Sequence, residues 1–275
     1  MTPTPPTVPT QRPWHLTPFL QASLAAHAAA TAGLLAWPQA WPWAVGALAV
    51  DHGALALAGL LPRCNWLGPN HTRLPAAAVA RREIALTLDD GPNPEVTSRV
   101  LDLLDQAGVK ASFFCIAAQA RRYPQLCRDI VARGHSVENH SNTHAHTFSV
   151  SGPRRVRAEV LAAQQTLADL TGQAPRFFRA PAGLRNVFLE PVLAELGLQL
   201  TAWTRRAFDT REGRPDVVLQ RLQRGLGAGD ILLLHDGNPA RCVGGEPVVW
   251  PVLPRLLQAA AQQGLRPVSL PQAFF

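Results

Sequence analysis

The amino-acid sequence predicts an α/β protein, a distorted (β/α)7 barrel preceded by an N-terminal hydrophobic helical hairpin. Two long apolar segments near the N-terminus contain almost no charged residues, and they predict the hairpin. From residue 83 onward, short apolar runs alternate with stretches of helical periodicity, the pattern of β/α units around a parallel sheet. Polar clusters follow the apolar runs, as expected of a barrel whose chemistry collects at the C-terminal ends of its strands.

Composition and charge narrow the class of protein. The chain has 275 residues, 47% of them hydrophobic, which is enough for one catalytic domain with an appendage. The formal net charge is +7, and Lys110 is the only lysine, so arginine carries almost all of the positive charge. These arginines are scattered without interleaved aromatic residues, which argues against nucleic-acid binding. A basic surface of this kind suits anionic lipid or a phosphorylated lipid carrier.

The cysteines do not indicate a zinc knuckle or a dithiol redox site. Cys64, Cys115, Cys127 and Cys242 show no Cys-x-x-Cys spacing. Buried free thiols are expected, and a disulfide between Cys115 and Cys127 is the alternative.

The N-terminal part divides into three segments. Residues 1–15 form a leader rich in proline and threonine, which is expected to be disordered. Residues 16–62 contain two apolar helices, each long enough to cross a hydrocarbon core of about 30 Å. Residues 63–81 are a linker to the catalytic domain at 82–275. Alanine dominates both helices, so a soluble hairpin packed on the barrel is the alternative.

Tryptophan and arginine positions favour the membrane interpretation. Trp37, Trp41 and Trp43 cluster at the connection between the helices, and Trp14 and Trp66 flank the outer ends, as in an aromatic belt. Arginines occur only outside the hairpin, so the positive-inside rule places both ends, and the catalytic domain, on the cytoplasmic side of a bacterial-type inner membrane.

Three ionisable residues lie within the apolar helices. His27 on one helix and Asp51 with His52 on the other fall at nearly equal distance from the connection. Mutual pairing within the hairpin is expected, although such residues are also candidates for a function in the membrane.

The barrel prediction rests on seven strands and the helices between them. The clearest helix covers residues 154–170, where Val156, Val160, Leu161, Leu167 and Leu170 share one face. The predicted strands are 84–88, 111–116, 136–138, 176–178, 199–203, 231–234 and 266–269.

The first strand ends in two adjacent carboxylates, Asp89 and Asp90, followed by Gly91 and Pro92. Side chains alternate between the faces of a strand, so these aspartates can do different jobs if the backbone turns between them. One could then hold a metal while the other handles a proton. An ordinary turn that closes a buried strand is the alternative.

Four further polar residues or pairs follow later strands. His140 and His144 are four apart, and on a helical turn they would project to one side and could bind one ion. The other candidates are Arg179, Asp209 and His235. Taken singly, each has a plain structural interpretation: a solvated histidine pair, a surface arginine, a loop acid and a core histidine.

In this order, the clusters resemble the polysaccharide deacetylase family, also called the NodB-homology domain or carbohydrate esterase family four. The resemblance covers roughly residues 82–275. Residues 87–91 are similar to the family's Thr-Phe-Asp-Asp-Gly motif, with Leu88 in place of Phe. Residues 134–144 resemble its second motif, 179–181 its third and 233–236 its fifth.

The resemblance implies a metal-dependent hydrolase that removes N-acetyl groups from amino sugars. Asp90, His140 and His144 would be ligands of a divalent ion, usually zinc, although such a site also accepts cobalt, nickel or iron. Asp89 would be the general base and Arg179 would orient it.

The same resemblance assigns the proton donor and the substrate pocket. His235 would be the general acid, with Asp209 as its carboxylate partner. Leu233, Pro181 and Ala182 would contribute to the substrate pocket.

Two departures from the family pattern point to an altered sugar site. Ala182 stands where the family often has tyrosine. Residues 206–210 align with an Asp-x-x-Asp-Trp motif but keep only the second acid, Asp209, and lose the tryptophan. Three alternatives remain: a deacetylase or deformylase of a lipid-linked amino sugar at the cytoplasmic leaflet, an O-acetyl sugar esterase, and an inactive sugar-binding or membrane-scaffold protein.

Overall fold

The structure is a computed structural model that describes residues 10–275. Most of the predicted leader at 1–15 therefore lies outside the described residues. Within the described chain, eight parallel strands form one sheet in the order β5-β4-β3-β2-β1-β7-β6, with β8 paired to β1. The strands are β1 (Glu83–Asp89), β2 (Ser112–Cys115), β3 (Ser136–Asn139), β4 (Phe177–Phe178), β5 (Gln199–Leu200), β6 (Arg205–Arg206), β7 (Ile231–His235) and β8 (Arg266–Val268).

The sheet curls into an incompletely closed barrel, and this confirms the predicted fold class. Its two edge strands, β5 and β6, belong to one short stretch of chain, residues 199–206. The sequence predicts a single strand at 199–203, but the strand ends at Leu200 and a second short strand follows on the far side of the barrel. Between these two strands the chain crosses the open side of the barrel. Thr204 then donates its backbone N–H to the carbonyl oxygen of Ile231 on β7.

Helices surround the barrel and form the hairpin. The predicted helix at 154–170 is confirmed and extends one residue further at each end. The helices are α1 (Pro18–Ala36), α2 (Trp41–Leu60), α3 (Ala76–Ala80), α4 (Val96–Gln106), α5 (Ala117–Arg122), α6 (Pro124–Ala132), α7 (Pro153–Thr171), α8 (Leu189–Glu195), α9 (Pro215–Gln223), α10 (Val249–Gln262) and α11 (Leu270–Phe274).

Strand β1 is buried in the core and pairs with three other strands, β2, β7 and β8. Every residue of β1 and of β7 is buried, as expected of parallel strands covered on both faces. Helices α4, α9 and α10 pack their apolar faces on this side of the sheet. Leu86 and Leu88 of β1 are no more than 1% exposed, and each contributes about 1.5–3 kcal/mol by burial. The ends of these two strands are therefore held rigidly.

The N-terminal hairpin extends away from this core. Helices α1 and α2 are long and apolar enough, by length and composition, to cross a membrane. At their shared base, Leu20 and Ala58 pack with Leu67 of the linker and Val187 of the catalytic domain, whereas Leu35 and Trp43 toward the tip are 82% and 83% exposed.

The ionisable residues of the hairpin contact one another. Asp51 accepts a hydrogen bond of 2.8 Å from the Ser23 hydroxyl, and its carboxylate lies 3.7 Å from Nδ1 of His27. The rings of His27 and His52 are 5.1 Å apart. These contacts join α1 to α2 through polar groups in an otherwise apolar pair of helices.

Residues 63–81 lie against the barrel. Leu67, Leu74 and Ala78 are buried, and His71 pairs with Thr201 beside β5. This segment therefore fixes the position of the hairpin base relative to the sheet.

The four cysteines are free thiols, as the sequence predicts. Cys115 and Cys127 are fully buried, and the contact with Cys127, together with burial, raises the pKa of Cys115 well above its usual range. Cys64 and Cys242 are half-buried rather than buried.

Candidate active site

The two adjacent aspartates point in different directions because the backbone turns between them. Asp89 is the last residue of β1 and is 3% exposed. Asp90 has a φ of 73°, in the left-handed region that aspartate tolerates better than most residues. The turn that the sequence predicts at this position is present, and it frees the two carboxylates for separate contacts.

His140 and His144 converge on Asp90. Nε2 of each histidine lies 3.3 Å from Oδ1 of Asp90, and the two rings are 4.9 Å apart. The sequence interpretation of a helical turn is wrong, because the segment is a loop in which Ser141 and His144 adopt φ values of 66° and 53°. The loop is tied at its start by Asn139, whose side chain donates to Val160 and Gln164 on α7.

This group fits a divalent metal ion. The ligand atoms of Asp90, His140 and His144 all lie within 4.8 Å of one another. Nδ1 of His140 is 2.8 Å from the carbonyl oxygen of Arg179, so it carries the proton and leaves Nε2 free to bind metal. Oδ1 of Asp90 is buried and has no hydrogen-bond partner among the described residues. A cation would satisfy this oxygen.

The electrostatics of Asp90 and His144 agree with that interpretation. Burial alone would raise the pKa of Asp90, but the imidazole of His140, helped by His235 and His144, holds this pKa well below its usual range. Burial and the neighbouring His140 lower the pKa of His144, which favours the neutral ring that binds metal.

Arg179 lies behind Asp89 and fixes its orientation. It follows β4 and is 1% exposed. Its guanidinium donates to Oδ1 of Asp89 at 2.7 Å, to Oγ1 of Thr87 at 2.8 Å, and to the carbonyl oxygens of Thr201 and Ala202 at 3.1 and 2.8 Å. Oδ2 of Asp89 lies 3.8 Å from Nε2 of His140. One carboxylate oxygen therefore binds the arginine and the other is directed to the metal-binding group.

His235 and Asp209 form a second buried pair. His235 ends β7, and its Nδ1 is 2.8 Å from Oδ1 of Asp209, whose other oxygen accepts the backbone N–H of His235 at 2.8 Å. Burial disfavours the charged ring, but Asp209, with smaller contributions from Asp89 and Asp90, raises the pKa of His235 to about 9. His235 is thus protonated at neutral pH and can donate a proton.

These groups surround a cavity of about 220 Å³. Seven of the ten residues expected at the site line it, whereas Arg179, Asp209 and Pro181 lie behind its surface. Six other residues line the cavity and were not predicted from the sequence as site residues: Gly183, Trp203, Arg206, Thr210, Arg211 and Asn238.

Some of these residues carried a signal in the sequence. Arg206 and Thr210 lie in the segment that departs from the family's fourth motif. Trp203, which comes from the stretch between β5 and β6, also lines the cavity. No sequence pattern marked Asn238 or Gly183.

The curled parallel barrel brings together a carboxylate, two imidazoles and two acid–base pairs at its strand ends. This is the arrangement of a metal-dependent hydrolase. The polysaccharide deacetylase family matches residues 76–201. The chain is 34% identical over 205 residues to a chitooligosaccharide deacetylase of Sinorhizobium fredii, covering 72% of this chain and 95% of that protein.

Two further relatives agree. A peptidoglycan-N-acetylglucosamine deacetylase of Bacillus cereus is 29% identical over 197 residues, covering 70% of this chain and 69% of that protein. The solved structure of a family 4 carbohydrate esterase from Streptomyces lividans in complex with acetate superimposes with a TM-score of 0.61 at 33% identity, covering 67% of this chain and 91% of that one. The chain belongs to the polysaccharide deacetylase family and is a hydrolase of the carbohydrate N-deacetylase class.

Proposed function

We propose that the protein removes N-acetyl groups from amino sugars at this cavity, with Asp90, His140 and His144 holding a divalent ion, zinc. The observation that carries the proposal is the convergence of these three ligands beside Asp89. When bound, the ion polarises the amide carbonyl and lowers the pKa of water. A carboxylate with two neutral imidazoles leaves room for that water, as in catalytic rather than structural zinc sites.

Asp89 acts as the general base. Its Oδ2 faces the metal-binding group, while Arg179 holds Oδ1 and so prevents rotation of the carboxylate. The base can therefore take a proton from the attacking water with little loss of conformational entropy.

His235 acts as the general acid. Asp209 fixes the proton on Nδ1 and favours the charged ring, which leaves the Nε2 proton for the departing amine. Leu233 and Ala182 line the cavity, where they contact the acetyl group and the developing oxyanion.

A second candidate substrate is a lipid-linked amino sugar, and the position of the hairpin supports it. The backbone N–H of Arg185 donates to the carbonyl of Gly59 on α2 at 3.1 Å. The cavity residue Gly183 is packed so closely that an added Cβ would lie 2.8 Å from Pro62, just after α2. A hairpin inserted in a membrane would place the cavity beside the lipid surface, on the cytoplasmic side by the distribution of arginines.

Acetate release tests the proposed activity. We expect release from soluble chitooligosaccharides and from polyprenyl-linked N-acetylglucosamine by the zinc-loaded protein, and roughly 10²–10⁴-fold slower release by Asp89→Asn. His140→Ala and His144→Ala should lose metal. Zinc-loaded protein that releases no acetate from any of these substrates would refute the activity, and release only from sugars acetylated on oxygen would identify an esterase.

A further inference from the structure

The active-site cavity contains two arginines that the chemistry above does not use. Arg206 and Arg211 both line it, together with the candidate metal ligands. Neither guanidinium makes a salt bridge or a side-chain hydrogen bond within residues 10–275, and Nε of Arg206 is buried without a partner. Only Nε of the Arg206 guanidinium is shielded in this way, so the terminal N–H groups of both arginines remain open to a ligand in the cavity.

Four other arginines of the same region have carboxylate partners. Each of them pairs with an acid of the chain: Arg205 with Asp230, Arg214 and Arg221 with Glu212, and Arg241 with Glu95. Arg206 and Arg211 differ from these four arginines because they line the cavity and have no acid partner among the described residues.

Aromatic side chains hold Arg206 in place. Its guanidinium carbon lies 5.2 Å from the centre of the Trp203 ring and 5.0 Å from that of Phe208. Contact with aromatic faces at these distances is a cation–π interaction, which orients the guanidinium and leaves its N–H groups free to donate. Arg206 is thus a preorganised donor at the cavity wall.

Guanidinium groups bind carboxylates and phosphates through paired N–H donors. We propose that Arg206 and Arg211 form a subsite for an anionic group, so that the preferred substrate is an amino sugar that bears a phosphate or a carboxylate. This inference rests on the proposed function of the same cavity. Neutral sugars would leave both charges without a partner.

Kinetics with three substrates test the subsite. They are neutral N,N′-diacetylchitobiose, N-acetylglucosamine 1-phosphate, and N-acetylmuramic acid, which carries a carboxylate. We expect wild-type kcat/KM to favour an acidic substrate. In Arg206→Gln and Arg211→Gln, this preference should fall about ten- to hundredfold, mainly through KM, because each variant removes a charge-assisted hydrogen bond. Arg206→Lys should restore part of it.

Arg255→Gln is the matched control, since Arg255 is a half-exposed arginine paired with Asp216 away from the cavity. The subsite is refuted if the double variant Arg206→Gln/Arg211→Gln keeps the wild-type preference, or changes it no more than Arg255→Gln does. A preference for N-acetylglucosamine 1-phosphate would identify the bound anion as a phosphate. A preference for N-acetylmuramic acid would identify it as a carboxylate.

Binding measurements keep this test independent of turnover. Calorimetric titration of the zinc-loaded Asp89→Asn protein with N-acetylglucosamine 1-phosphate and with N-acetylglucosamine compares their affinities without hydrolysis. Tighter binding of the phosphate that is lost in the double variant supports the subsite even if no substrate releases acetate. Equal affinities refute it even if acetate is released.

Discussion

At the scale of single residues, the geometry of the site depends on which partner each carboxylate oxygen contacts. Asp89 uses one oxygen for Arg179 and turns the other toward His140, and Asp209 uses one oxygen for the ring and one for the backbone of His235. Each acid is thereby fixed in both position and orientation. Small changes at the residues behind the cavity should therefore have large effects.

Arg179 should be the clearest case. Arg179→Met removes a buried guanidinium and leaves Asp89, Thr87 and two carbonyl oxygens without their donor. We expect loss of about 3–5 kcal/mol of unfolding free energy in urea denaturation, together with loss of acetate release. The control Arg255→Met breaks an exposed pair and should cost at most about 1 kcal/mol. A stable Arg179→Met protein would mean that the arginine is not required to keep Asp89 in place.

Asp209 should control the pH dependence of activity. The pKa of His235 is raised from 6.5 to about 9, so the proposed general acid is protonated at neutral pH. A metal ion beside Asp90 opposes this rise, and activity should fall as pH increases between these two values. In Asp209→Asn the fall should occur at lower pH, which the pH profile of kcat/KM measures. An unchanged profile would show that another group donates the proton.

The same pair makes a contribution to stability with a definite sign. Because the folded state binds the His235 proton more tightly than the unfolded state, the metal-free protein has this stabilisation in full below pH 6.5. It loses the stabilisation as pH rises through about 9. Asp209→Asn should flatten that part of the curve of unfolding free energy against pH.

At the scale of elements, the loops after β1 and β7 interlock. An added Cβ at Gly91 would collide with the carboxylate of Asp236, and one at Gly237 would collide with the backbone of Asp90. Asp236 in turn accepts a hydrogen bond of 2.5 Å from Thr97 on α4. The position of the proposed metal ligand Asp90 thus depends on a loop that contributes no proposed ligand.

Gly237→Ala should therefore weaken metal binding. The added methyl group must displace Asp90, and we expect about 10–100-fold lower zinc affinity, measured by competition with a chelator. Gly244→Ala is the control, because it lies in the same loop and its added Cβ meets no atom within 4 Å. Equal zinc affinity in both variants would show that the loops can separate without cost.

The strands and site motifs could be predicted from sequence because they are locally encoded. Strand β1 is a continuous apolar run that ends at Asp89, and His235 ends an equally apolar strand. Contacts between distant segments could not be predicted. Trp203 lines the cavity only because the chain crosses between β5 and β6, and the left-handed conformation of His144 has no sequence signature.

At the scale of the whole molecule, the proposed topology makes a direct prediction. In intact cells, a membrane-impermeant maleimide should label a Gln39→Cys variant at the hairpin connection. The half-buried thiol of Cys242 in the catalytic domain should react only after lysis. Labelling of Cys242 before lysis, compared with Cys242→Ser as background, would place the catalytic domain outside.

The contact of Pro62 with Gly183 has a kinetic consequence for a membrane-bound enzyme. If the hairpin is inserted as proposed, a cavity wall joined to its base would hold the cavity at the bilayer surface during the search for a lipid-linked sugar. The rate would then follow the surface density of that lipid rather than its bulk concentration. Adding inert phospholipid at constant total substrate would slow turnover by surface dilution, while hydrolysis of a water-soluble oligosaccharide would be unaffected.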